Sequence, residues 1–129
     1  MSRVLIIDDS ATERHVFTSW LAGMGHVVLE AQDAETGMAL AIQQRPDMIL
    51  MDVVLPGKNG FEATRTLRRN AQTQAIPVMI ISSKNQPSDQ AWGKKQGAVA
   101  YLTKPLTEQL FRQEIEKVLS ALPAFSKEP

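Results

Sequence analysis

No cysteine occurs among the 129 residues, so there is neither a disulfide framework nor a thiolate metal site. Neither charge is in excess: 14 lysines and arginines balance 14 aspartates and glutamates, for a formal net charge of zero. A nucleic-acid binder usually carries a basic face, and this balance disfavours that class. No apolar run approaches the length of a membrane span. No signal peptide is expected: Met1-Ser2-Arg3 precede only a short apolar run, Val4 to Ile7, before Asp8-Asp9. No repeat and no low-complexity tract is present. These absences leave the expectation of one cytoplasmic domain, with no nucleic-acid partner and no membrane insertion.

What is present is ordinary in amount, 43% hydrophobic and 22% charged residues, but ordered in pattern. Val4 to Ile7 is an apolar, β-rich run that stops at Asp8-Asp9. Ser10-Ala11-Thr12-Glu13 fits a capping box, in which Ser and Glu satisfy free N–H groups at a helix start. Val16, Phe17, Trp20, Leu21 and Met24 follow at helical spacing, and Gly23 and Gly25 end the helix. His26 to Ala31 reads as a second strand. Asp33 caps a second helix with Ala34, Met38, Ala41 and Ile42 on one face, ended by Pro46. Asp47 to Asp52 is a third strand and Gly60 to Arg69 a third helix, with Phe61, Ala63, Thr64 and Leu67 inward. Ile76 to Ile81 is the fourth and most apolar strand. A helix from Pro87 to Gln96 follows, closed by Gly97 in a left-handed conformation. Val99 to Thr103 is a fifth strand, and Thr107 opens a last helix with Leu110, Phe111, Ile115, Val118, Leu119 and Leu122 on one face.

Strands that alternate with helices imply a parallel sheet joined by right-handed crossovers, with helices on both faces. Continuous apolar strands agree, since parallel strands are covered on both sides. Ligands of such sheets bind beyond the carboxyl ends of the strands. Asp8 and Asp9 follow the first strand, Asp52 the third, Ser82 and Ser83 the fourth, and Lys104 and Pro105 the fifth. Each alone has a bland reading. An aspartate at a strand end is ordinarily a turn or cap residue, and a lone lysine is ordinarily solvated. Together, on one edge and in separate loops, they offer three carboxylates, a hydroxyl and an ammonium. Clustered carboxylates repel, so one pKa should rise unless a cation lies between them. Mg²⁺ takes such oxygen ligands together with phosphate oxygens. Phosphoryl transfer rests mostly on positioning and charge neutralisation, and an aspartate can itself be the covalent acceptor.

These residues resemble those of a response-regulator receiver domain. The matching pieces are LIIDDS at 5–10, ILMDVVLPGKNG at 49–60, IPVMIISS at 76–83 and GAVAYLTKP at 97–105, and the likeness spans about residues 3–121. The resemblance implies a flavodoxin-like (βα)5 sandwich with a five-stranded parallel sheet in the order 2-1-3-4-5. It implies one receiver domain over 1–122 and a flexible C-terminal tail over 123–129. It implies Asp52 as phosphoacceptor, with Asp9, Asp52 and the Val54 backbone carbonyl holding Mg²⁺, for which Mn²⁺ can substitute. Asp8 acts through a metal-bound water. Lys104 pairs with Asp52 and then with the phosphoryl group, and Ser82 donates to a phosphoryl oxygen; many members have Thr there. Tyr101 matches the aromatic that turns inward on switching, and Pro105 matches a proline whose preceding bond is commonly cis. Val54 and Lys84, two residues past Asp52 and Ser82, flank the path of attacking water and tune the phosphoryl lifetime. The Pro56-Gly57 break turns its loop back over the site.

A narrower likeness, in QAWGKKQGAVAYLTKP at 90–105 and VVLPGKNGFEATR at 53–65, is to stand-alone receivers of type IV pilus chemosensory systems. The implied partners are a sensor histidine kinase or its phosphotransfer domain, and a downstream protein bound on the face of helix four, strand five and helix five. With only a short stretch after the last helix, no output domain is expected. Output is therefore expected through a partner or through draining phosphoryl groups from a shared kinase. Trp92 is expected to pack toward the core, although an exposed tryptophan is also a favoured partner anchor. His15 and His26 have no second ligand at metal spacing. Two rival folds with function fit less well. A flavodoxin-type cofactor binder wants a Gly/Ser/Thr phosphate loop where DDSATE stands. An aspartyl-nucleophile phosphatase wants two aspartates flanking one residue, and a cap domain. A degenerate receiver serving only as a scaffold would not need the complete acidic set.

Overall fold

The computed structural model describes residues 1–121. Five strands alternate with five helices along the chain: β1 (Arg3–Ile7), α1 (Ala11–Gly23), β2 (Val27–Ala31), α2 (Ala34–Gln44), β3 (Met48–Met51), α3 (Gly60–Arg69), β4 (Val78–Ser82), α4 (Pro87–Lys95), β5 (Ala100–Thr103) and α5 (Glu108–Ala121). All strand pairs are parallel, in the order β2-β1-β3-β4-β5. That is the flavodoxin-like order that the family resemblance implies. β1, β3 and β4 are buried on both faces, as their unbroken apolar runs require.

Alternate side chains of each strand feed two cores. Leu5, Ile7, Ile49, Met51, Val78 and Ile80 pack with Ala34 and Ala41 of α2 and Ala63 and Leu67 of α3. Val4, Ile6, Met48, Leu50, Met79 and Ile81 pack with Phe17 and Leu21 of α1 and Phe111 and Ile115 of α5. Phe17 and Phe111 stack at 5.3 Å between ring centres, and Trp20 tilts against both. Among the described residues no helix is long and apolar enough to cross a membrane.

Local chemistry sets the boundaries. Ser10, Asp33 and Asn59 cap α1, α2 and α3 by accepting the backbone N–H of Glu13, Thr36 and Glu62. Gly97 ends α4 at φ +113°, as its position predicts. The fourth strand starts later than its apolar run, at Val78, because Pro77 has no N–H to give a ladder. Two faces depart from expectation. Leu110 and Val16 are exposed rather than inward, and Trp92 is 49% exposed on the outside of α4, where Lys95 Nζ lies 5.8 Å from its ring centre. Gly93 is the buried residue of α4, so its short inner face is made by a glycine and Trp92 is turned outward. The predicted α5 face ends with Leu119; Leu122 and the tail 123–129 lie outside the described residues.

Candidate functional site

The strand order reverses between β1 and β3, and that is where the acidic residues meet. Ile7 pairs with Met51 in register, so Asp8 and Asp52 emerge side by side one residue later. Asp52 N–H donates to Ile7 O at 2.9 Å and Asp8 N–H to Ala31 O at 3.1 Å, which continues the ladder to the edge. Both side chains are buried. Each carboxylate has one oxygen fixed by backbone: Asp8 Oδ1 accepts Ser10 N–H at 2.9 Å, and Asp52 Oδ1 accepts Val53 N–H at 2.7 Å. The other oxygens point at one ammonium. Lys104 N–H donates to Ser82 O at 2.9 Å at the end of β4, and from there Lys104 Nζ reaches Asp8 Oδ2 at 3.1 Å and Asp52 Oδ2 at 3.3 Å. Glu13, on the first turn of α1, also pairs with Lys104.

Electrostatics follow from this crowding. Burial raises the Asp52 carboxyl above its ordinary 3.8; Lys104 opposes the rise and Asp8 adds to it. Burial alone would lower the Lys104 ammonium, but Glu13, Asp52 and Asp8 together outweigh it and leave it raised from 10.5. One cation among three carboxylates leaves a surplus of negative charge. Asp8, Glu13 and Asp52 each offer an oxygen, all within 4.8 Å of one another. Such a donor set, all carboxylate oxygen, suits a hard divalent cation such as Mg²⁺.

A cleft of about 540 Å³ opens over this cluster, lined on its polar side by Asp9, Thr12, Glu13, Asp52, Ser83 and Lys104 and on its apolar side by Phe17, Trp20 and Leu106. Asp9 is exposed on the wall of the cleft, outside the tight carboxylate group. Val54 also lines it, 57% exposed. Ser82 is fully buried, its Oγ accepting Lys84 N–H at 3.2 Å, and it is Ser83 that faces the cleft. Lys84 is exposed. Tyr101 donates through its hydroxyl to Lys84 O at 2.8 Å, with its ring half-buried against the α2–α3 core. The Lys104–Pro105 bond is cis, and Pro105 closes the rim.

Two features were read differently from sequence. The Pro56-Gly57 turn does not fold over the cleft; with Lys58 it lines a separate hollow against α2. The loop is instead drawn in at its far end. Gly60 N–H donates to Val53 O at 2.9 Å, and a Cβ on Gly60 would lie 2.0 Å from Asp52 O. The capping box at Ser10 is only half made. Asp8 takes Ser10 N–H, so the Glu13 carboxylate is released to Lys104. The DDS sequence carried that signal, since an aspartate tends to accept the N–H two residues on.

Comparison with known proteins gives a consistent result. A family model described as "Response regulator receiver domain" matches residues 4–116. Protein PilH of Pseudomonas aeruginosa is 51% identical over 120 residues, covering 93% of this chain and 99% of that one. The phosphate regulon transcriptional regulatory protein PhoB of the same organism is 33% identical over 116 residues; the match covers 90% of this chain but 51% of PhoB. Among solved structures, the chemotaxis response regulator CheY4 of Vibrio cholerae superposes with a TM-score of 0.86 at 30% identity, covering 92% of this chain and 98% of that one.

Proposed function

The chain belongs to the response regulator receiver family, and from that premise we propose that Asp52 accepts a phosphoryl group from a phosphohistidine of a sensor kinase or its phosphotransfer domain. The observation that carries this reading is the convergence of Asp8, Asp52 and Lys104 from three separate strand ends. In the transfer, an Asp52 carboxylate oxygen attacks phosphorus, the P–N bond breaks, and its electron pair leaves with the imidazole. An acyl phosphate results. Hydrolysis reverses the charge state: water attacks phosphorus, the bond to Asp52 breaks, and carboxylate and inorganic phosphate remain. Bound Mg²⁺ supplies neutralisation of the phosphoryl oxygens. Asp8, Asp9, Asp52 and the Val54 carbonyl would hold it. Lys104 is already aimed at Asp52, so it needs no large movement to meet the new oxygens.

The added charge, about −1.5 to −2 for a phosphate, draws on Lys104 and on the hydroxyl of Ser82. Tyr101 then turns into the space beside Ser82, which reshapes the surface of α4, β5 and α5. Trp92, exposed on α4, gives that surface an anchor of a type favoured at interfaces. Likeness to PilH over nearly all of both chains supports a place in a type IV pilus chemosensory system, with output through a bound partner or through phosphoryl drainage. Val54 and Lys84 tune how fast water reaches the acyl phosphate; exchanging both should change its half-life. Incubation with Mg²⁺ and a small acyl phosphate tests the core of the reading. Intact-mass spectrometry should show one added phosphoryl group in the wild type and none in Asp52→Asn. A group that survives that substitution, or a wild type left unmodified, overturns it.

A further inference from the structure

Lys104 has three carboxylate partners, and the Mg²⁺-holding set proposed above uses two of them, Asp8 and Asp52, with Asp9 and the Val54 carbonyl rather than Glu13. The third, Glu13, is released from its cap because Asp8 occupies Ser10 N–H, and it turns its carboxylate to Lys104. The three partners differ in exposure. The side chains of Asp8 and Asp52 are 3% and 10% exposed, whereas that of Glu13 is 38% exposed. Glu13 is therefore the partner that returns to water at least cost. It also stands on the cleft wall, next to the space a phosphoryl group on Asp52 would enter.

We propose that Glu13 is a positioning residue that competes with Asp52 for the Lys104 ammonium in the unphosphorylated protein, and that it gives Lys104 up when the phosphoryl group arrives. The inference rests on the reading of Asp52 as phosphoacceptor. Its consequence is a lowered occupancy of the phosphorylated state. A contact present only before phosphorylation must be broken to reach the product, and removing it shifts the equilibrium toward the phosphorylated form. Losing Glu13 removes one of three carboxylates around Lys104 while Asp8 and Asp52 stay paired with it, so the effect is modest.

Beryllium trifluoride, which becomes a tetrahedral phosphoryl analogue when a carboxylate oxygen coordinates the beryllium, tests this at saturating Mg²⁺, with ¹⁹F NMR comparing protein-bound and free beryllofluoride. Glu13→Gln should bind the analogue about two- to five-fold more tightly than the wild type, with the gap narrowing as salt is raised. Glu13→Gln combined with Ser19→Glu keeps the net charge and moves the carboxylate to an exposed position of α1 outside the cleft; this transposed variant should behave like Glu13→Gln. Unchanged or weaker binding by Glu13→Gln overturns the proposal. So does wild-type affinity in the transposed variant, which would show that charge acts without the contact. Failure of the wild type to bind the analogue, or binding by Asp52→Asn, instead overturns the reading of Asp52 itself.

Discussion

Asp52 is a carboxylate the fold holds at a cost. Its pKa lies above 3.8 in the folded protein, chiefly because it is buried, whereas the unfolded chain titrates at the ordinary value. Ionisation therefore burdens the folded state more than the unfolded chain. The penalty is complete above the folded pKa and absent below 3.8. Asp52→Asn should raise the thermal midpoint at pH 7 without Mg²⁺ by a few degrees. The gain should fade as pH drops through the folded pKa toward 3.8, which thermal scans across pH would show. Lys104 is the opposite case. Lys104→Met leaves Asp8, Asp52 and Glu13 without their shared ammonium, and should cost roughly 3 kcal/mol in urea unfolding at low salt. Millimolar Mg²⁺ should return part of that loss, since a cation again lies among the carboxylates.

At the scale of elements, most of the site was legible because strand ends are legible. Asp8, Asp52 and Lys104 each follow an apolar run, and a parallel sheet brings those ends to one edge, while Ser82 ends β4 buried and Ser83 faces the cleft. What the sequence did not disclose depends on side-chain choices between neighbours. Glu13 looked like half of a capping box until Asp8 took its partner. Trp92 looked like a core residue, but the inner face of α4 is occupied by Gly93. The Pro56-Gly57 turn was placed over the site, whereas the contact that shapes the loop is made at Gly60. Gly60→Ala should be among the most damaging single substitutions here. Its Cβ would meet backbone rather than a movable side chain, at a cost of about 3 kcal/mol or more, with weakened Mg²⁺ binding as a second sign in titrations. Trp92→Ala should leave unfolding within about 0.5 kcal/mol of wild type while weakening capture of the phosphorylated-state partner.

For the whole molecule, a net charge of zero coexists with a local concentration of acid, where Asp8, Glu13 and Asp52 gather at one edge of the sheet. The alternation of strands and helices follows from pattern across nearly the whole chain, the strand order from the family resemblance, and no single motif settles either. A cation bound at the acidic edge stabilises every element that converges there. At 100 times its dissociation constant, Mg²⁺ should add about 2.7 kcal/mol to unfolding, and Asp52→Asn should reduce that increment. The most direct test of the account is to locate the phosphoryl group itself. After reaction with Mg²⁺ and a small acyl phosphate, borohydride reduction converts an aspartyl phosphate to homoserine, and tandem mass spectrometry reads its position. Homoserine at position 52 is the expected result. Homoserine at another aspartate, or none under conditions that phosphorylate a known receiver, would contradict the account.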